Sequence, residues 1–111
     1  MGKRDHLATL ELLVLLAVVR AGRNASGIPI AREIEVCSGR EVALGSIYTT
    51  LSRLEEKGLL VSELGEPTAR RGGRAKALFR VTGKGLQEVR AAQATLTKLW
   101  SGLPGLDGVK R

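Results

Sequence analysis

The chain has 111 residues, with 18 Lys plus Arg against 11 Asp plus Glu and a formal charge of +7. That length suits one domain, and 43% apolar residues are enough for a core. Tyr48, Phe79 and Trp100 are the only aromatics, too few for the stacked rings that grip single strands, so a nucleic-acid partner is expected to be a duplex.

Lone Cys37 and lone His6 leave neither an internal disulfide nor a zinc site, and no metal or cofactor is expected. Lys3 and Arg4 precede the apolar run Leu12–Val19, as in a signal peptide. Glu11 and Arg20 interrupt that pattern, and the run falls short of the ~20 residues that span a bilayer. A soluble, cytoplasmic protein without a membrane partner is expected.

Residues 7 to about 21 predict a first helix ended by Gly22. It is apolar on all sides, and a small domain covers only one of them, which assigns Leu12 and Leu16 to a second subunit. Asn24 or Ser26 caps a second helix with Pro29 in its first turn and Gly39 as its stop. Ile30, Ala31, Ile34 and Cys37 form its core stripe, with Cys37 read as a small core residue rather than a reactive thiol.

A third helix is expected over 44–57, ended by Gly58. Ile47, Leu51 and Leu54 face inward, and Ser46, Thr49, Thr50, Arg53 and Lys57 make an outer face free of acids. Two strands, 59–64 and 77–81, flank a loop that holds Pro67, Gly72 and Gly73, the pattern of a winged hairpin. Thr82 caps a last helix running to about Gly102. On it Leu86, Val89, Gln93, Leu96, Trp100 and Leu103 recur at spacings of 3 and 4, a heptad seam suited to pairing with another helix.

The fold class expected is mainly α with a small β-hairpin: a winged helix-turn-helix over 7–82, a dimerisation helix over 83–103 and an irregular tail over 104–111, all one domain. In such a fold the third helix enters a major groove. Ser46, Tyr48, Thr49, Thr50, Arg53 and Lys57 are then the candidate DNA contacts on it. Tyr48 is read either as a phosphate contact or as a half-buried packing residue. In the wing, Arg70, Arg71, Arg74 and Lys76 surround Gly72 and Gly73. The cations can follow phosphates or enter a minor groove, and Gly73 allows close backbone approach. The alternative is a solvated loop. Neither P-loop nor Rossmann glycine spacing is present.

The segment Leu44-Gly45-Ser46-Ile47-Tyr48-Thr49-Thr50-Leu51-Ser52-Arg53-Leu54-Glu55-Glu56-Lys57-Gly58-Leu59-Leu60 resembles the recognition helix of PadR-like transcriptional regulators. Gly27-Ile28-Pro29-Ile30-Ala31 resembles that family's second helix, and Gly72-Gly73-Arg74-Ala75-Lys76 with Phe79-Arg80-Val81-Thr82 and Gly85 resembles its wing and the start of its last helix. The resemblance covers about residues 7–100 and is to the short, compact members. It implies a homodimeric, repressor-type regulator on a roughly palindromic operator, dimerised by the last helix with the first. It also implies a possible small aromatic effector near the dimer interface. Ala43 departs from the family's capping Ser or Thr, and Ala77 and Leu78 replace bulkier residues, leaving Phe79 as the hairpin's one ring.

Trp100 is read as a dimer-core residue or, with Gln93 beside it, as a stacking surface for a planar ligand. A protein–protein interaction module is the competing function. Catalysis is not expected, since no nucleophile–base or paired-carboxylate set can be assembled. Residues 67–87 carry six cations and no acid, while the other 12 cations and 11 acids nearly cancel. The charge therefore belongs to the wing and its flanks.

Overall fold

A computed structural model describes residues 7–65 and 76–105. The first helix, α1, spans Thr9–Ala21. Its N-cap, Ala8, has no side-chain acceptor, and Glu11 satisfies the cap from inside the helix. Glu11 Oε1 accepts the Ala8 N–H at 2.9 Å. Val14, Leu15, Ala17 and Val18 are buried, whereas Leu13, Leu16 and Val19 stay exposed. One side of this apolar helix is covered and the other is not.

A single 3-10 turn at Gly22–Asn24 leads to α2, Gly27–Ser38. Ser26 takes the N-cap position, but its side chain makes no capping bond. Gly39 ends the helix in the left-handed region, which a side chain rarely adopts. Ile30 and Ile34 are buried. The expectation for Cys37 is overturned: it is exposed. Residues 35–41 are all exposed, so the last turn of α2 runs past the elements that cover Ile30 and Ile34. The helical period continues there, but among the described residues nothing covers it.

The third helix, α3, spans Leu44–Glu56 from an N-cap, Ala43, that supplies no side-chain bond. Ile47, Leu51 and Leu54 close the core against α1 and α2. Gly58, at φ +79°, turns the chain into β1, Leu60–Leu64. Strand β2, Ala77–Val81, pairs antiparallel with it, Leu60 opposite Val81 and Leu64 opposite Ala77. The Phe79 N–H donates to the Ala25 carbonyl at 2.8 Å, and the Phe79 ring packs on the core, so the hairpin is fastened to the α1–α2 link.

The last helix, α4, spans Gly83–Trp100. The Thr82 hydroxyl accepts the Gly85 N–H at 3.0 Å and donates to the Gly58 carbonyl at 2.8 Å, so the cap also ties α4 to the end of α3. Gly85 sits where a Cβ would strike the Leu59 carbonyl and Val81. It is the one buried residue of α4, and Val89 packs part-buried against the core. The helix stops at Trp100, with Ser101 as C-cap and Gly102 at φ +80°. Leu103 therefore lies beyond the helix, and the expected seam does not continue to it.

Candidate nucleic-acid interface

The outer side of α3 presents Ser46, Tyr48, Thr49, Ser52 and Arg53 to solvent. Among the described residues no hydrogen bond or ion pair engages the side chains of Tyr48, Thr49 or Arg53. They are donors left available for an external acceptor. The Tyr48 ring lies across Gly27, where a Cβ would collide with its hydroxyl and ring carbons. A glycine at that position lets α3 and the first turn of α2 approach closely, and it sets the tyrosine hydroxyl beside that turn.

One expected contact is corrected, and a second is found already engaged within the chain. Thr50 is only 4% exposed, and its Oγ1 donates back to the Ser46 carbonyl at 2.8 Å. It belongs with Ile47, Leu51 and Leu54 at helical spacings of 3 and 4, on the core side of α3 rather than the outer side. Lys57 is not a free cation on the outer face. Its Nζ donates to Glu11 Oε1 at 3.1 Å and Oε2 at 3.0 Å, joining α3 to α1.

Glu11 is the residue that sequence reasoning missed, having registered only as a break in an apolar run. It is 5% exposed. Burial pushes its carboxyl pKa up, but the Ala8 N–H, the Lys57 ammonium and the Arg53 charge together outweigh this and hold it below the ordinary glutamate range. The usable signal was an acid at the third position of the helix, with an uncapped Ala8 three residues before it.

The wing residues Arg70, Arg71, Gly73 and Arg74 lie outside the described residues. Lys76 is half-buried at the base of β2, where its carbonyl accepts the Gly65 N–H at 2.8 Å. Arg80 lies 3.8 Å from Glu63 across the hairpin, both well exposed, and such a pair contributes little.

The residues expected at a dimer interface divide. Leu12 is half-buried and Leu16 exposed on α1; Val89 belongs to the chain's own core. Leu86 and Gln93 are exposed, and toward the end of α4 so are Leu96 at 50% and Trp100 at 51%. Leu99, at 67%, is more exposed still and falls off the heptad spacing, which is why it was overlooked. A groove of about 570 Å³ between α1, β2 and the start of α4 is lined by Val18, Val19, Phe79, Val81 and Leu86, together with Arg23 and Arg80. Among the described residues, no helix is long and apolar enough to cross a membrane, and no cluster of three metal-ligating side chains occurs.

Known proteins share this arrangement. A family model described as the transcriptional regulator PadR-like family matches residues 15–91, more than half of the chain. A PadR family transcriptional regulator from Eggerthella lenta is 27% identical, with a TM-score of 0.66 over 82% of this chain and 74% of that one. A PadR-like transcription factor from Bacteroides fragilis is 24% identical (TM-score 0.66, 81% of this chain and 82% of that one), and a PadR-like regulator from Bacillus cereus is 21% identical (0.59, 85% and 93%). These last two show the fold alone. No curated protein gives a significant match. With four α-helices and an antiparallel hairpin among the described residues, and an open polar face on α3, the chain belongs to the PadR-like family of transcriptional regulators.

Proposed function

We propose that two copies of the chain form a cytoplasmic dimer that binds double-stranded DNA sequence-specifically at a roughly palindromic site and acts as a repressor. The observation that carries this is the outer face of α3, where Thr49 and Arg53 stand one turn apart, exposed and without hydrogen-bond or ion-pair partners among the described residues. Short hydroxyls and a guanidinium in that order suit a major groove. Ser46 and Tyr48 reach phosphates at the leading end, and the cations of the hairpin, Arg70, Arg71, Arg74 and Lys76, follow the backbone beside Gly73.

Dimerisation is supported by the exposed apolar residues of α1 and α4. Leu13, Leu16 and Val19 on one helix and Leu96, Leu99 and Trp100 on the other are too many large apolar groups for a finished surface. Pairing them places two α3 helices in successive major grooves, ~34 Å apart. Gln93 and Trp100, two turns apart on α4, line the same surface. A planar aromatic effector that stacked on Trp100 would release DNA by changing the angle between subunits.

Binding to duplexes recovered from sheared genomic DNA tests the reading. Wild-type binding weakens with salt at a log–log slope of about −0.9 per phosphate neutralised. Arg74→Ala weakens binding to every duplex, whereas Thr49→Ala and Arg53→Ala reduce discrimination between the recovered sequence and a scrambled one. A flat salt response defeats the DNA reading. Equal losses on both duplexes for all three variants defeat the division of labour between helix and wing.

A further inference from the structure

The end of α3 is a junction where three elements meet on one residue. The Lys57 ammonium donates to both carboxylate oxygens of Glu11 in α1. Its carbonyl accepts the Lys84 ammonium, from the first turn of α4, at 3.2 Å. Its own N–H donates to the Arg53 carbonyl at 3.0 Å, as the C-cap of α3. The next carbonyl, that of Gly58, accepts the Thr82 hydroxyl at the start of α4. Among the described residues, the opposite end of α3 packs through Ile47 and through Tyr48 over Gly27, with no side-chain hydrogen bond or ion pair to another element. Ala43 supplies no cap, and residues 43–46 are all exposed.

Thus α3 is held at its C-terminal end and leads with its N-terminal end. A 13-residue helix is ~20 Å long, so a tilt of about 10° at the fastened end moves the leading end by ~3 Å. That displacement exceeds the tolerance of a hydrogen bond to a base edge. Ile47, Leu51 and Leu54 pack α3 onto the core, but apolar contact is non-directional and leaves the finer angle of the helix to its polar attachments. The charge-assisted hydrogen bonds from the Lys57 ammonium to both Glu11 oxygens add a second point of attachment to that apolar contact, between α3 and α1. A buried ion pair is weak evidence for stability, and in some proteins its role is to specify one geometry.

We propose that Glu11 is a positioning residue for DNA recognition: through Lys57, it sets the angle at which α1 presents α3 to a duplex. Lys57 is then not a phosphate contact, and Glu11, although acidic, favours binding. This rests on the DNA-binding reading above and makes a distinct prediction within it. Glu11→Gln keeps an acceptor for the Ala8 N–H and removes one negative charge from the protein. Long-range electrostatics then predict tighter binding to any duplex, while lost positioning predicts weaker binding to the specific one.

The test measures affinity and salt slope on two duplexes of equal length, the best genomic fragment recovered by the wild-type protein and its scrambled counterpart. Glu11→Gln is expected to lose about 10-fold on the recovered duplex, the scale of one charge-assisted hydrogen bond. Affinity for the scrambled duplex is unchanged or higher. Lys57→Met shows the same loss of discrimination with an unchanged salt slope, and the double variant is no worse than the weaker single one. Unchanged or tighter binding of Glu11→Gln to both duplexes overturns the proposal, as does an equal loss on both. Should Glu11→Gln fail to fold, Lys57→Met decides. Lost discrimination at constant slope supports positioning, and a slope smaller by about one phosphate makes Lys57 a direct contact and overturns it. A wild-type protein that binds neither duplex removes the DNA reading itself.

Discussion

Helices α3 and α4 are both amphipathic, but the chain completes only one of them. In α3, Ile47, Leu51 and Leu54 are buried and the opposite side is polar. In α4 one glycine is buried, while Leu96, Leu99 and Trp100 are half or more exposed. The difference lies in position rather than composition. Three other elements meet α3, whereas the α4 residues that pack on the core, Gly85 and Val89, lie in its first half. A surface helix is stabilised by what its apolar side meets, and the apolar residues in the second half of α4 keep half or more of their surface exposed among the described residues.

The sharpest way to break this comparison is to truncate one apolar side chain on each helix. Leu54→Ala empties a fully buried site and is expected to cost ~2–5 kcal/mol in denaturant unfolding, whatever the protein concentration. Leu96→Ala is expected to leave the unfolding of the dilute chain unchanged and to weaken self-association in sedimentation. If Leu96→Ala lowers the stability of the dilute chain as Leu54→Ala does, α4 packs on its own domain and the contrast disappears.

A smaller effect sharpens the same contrast within α4. At Gly85 a Cβ must displace the Leu59 carbonyl, so Gly85→Ala is expected to cost about 1–3 kcal/mol. At Gly83, two residues earlier, a Cβ meets nothing within 4 Å, and Gly83→Ala is expected to gain up to about 1 kcal/mol. Thermal unfolding of the two variants marks where α4 stops being part of the core.

The smallest effect concerns Glu11, which ties α3 to α1 through Lys57. Its carboxyl pKa is lowered in the folded chain, so its contribution to stability is complete above the ordinary glutamate range. That contribution is lost as pH falls through the folded value. Unfolding measured from pH 7 downward is expected to show a shallower acid loss in Glu11→Gln than in the wild type. Identical acid profiles contradict the ion-pair assignment.

Much of the fold was legible because its punctuation is local. Gly39 and Gly58 mark the ends of α2 and α3, and Thr82 caps α4, each through backbone geometry within a few residues. The candidate site was legible only in part. Periodicity placed Ile47 and Leu51 correctly, but the outer stripe drawn around Thr49 took in Thr50, which lies one helical step round on the core side. Cys37 shared a stripe with Ile30 and Ile34 and still came out exposed. A helical period says which residues share a side and is silent on how far along the helix that side is covered. Lys57 looked like a free cation because its partner is 46 residues away.

Sequence alone determined the order of helices and strands, the family and the concentration of positive charge in residues 67–87, since these depend on local propensity, spacing and composition. Tertiary structure decided which polar groups are already engaged. The Glu11–Lys57 pair, the inward turn of Thr50, the seat of Tyr48 over Gly27 and the uncovered end of α4 all arise between segments far apart in the chain. Hydrogen bonds, ion pairs and burial depend on distances in space, and only packing three helices and a hairpin around one core sets those distances.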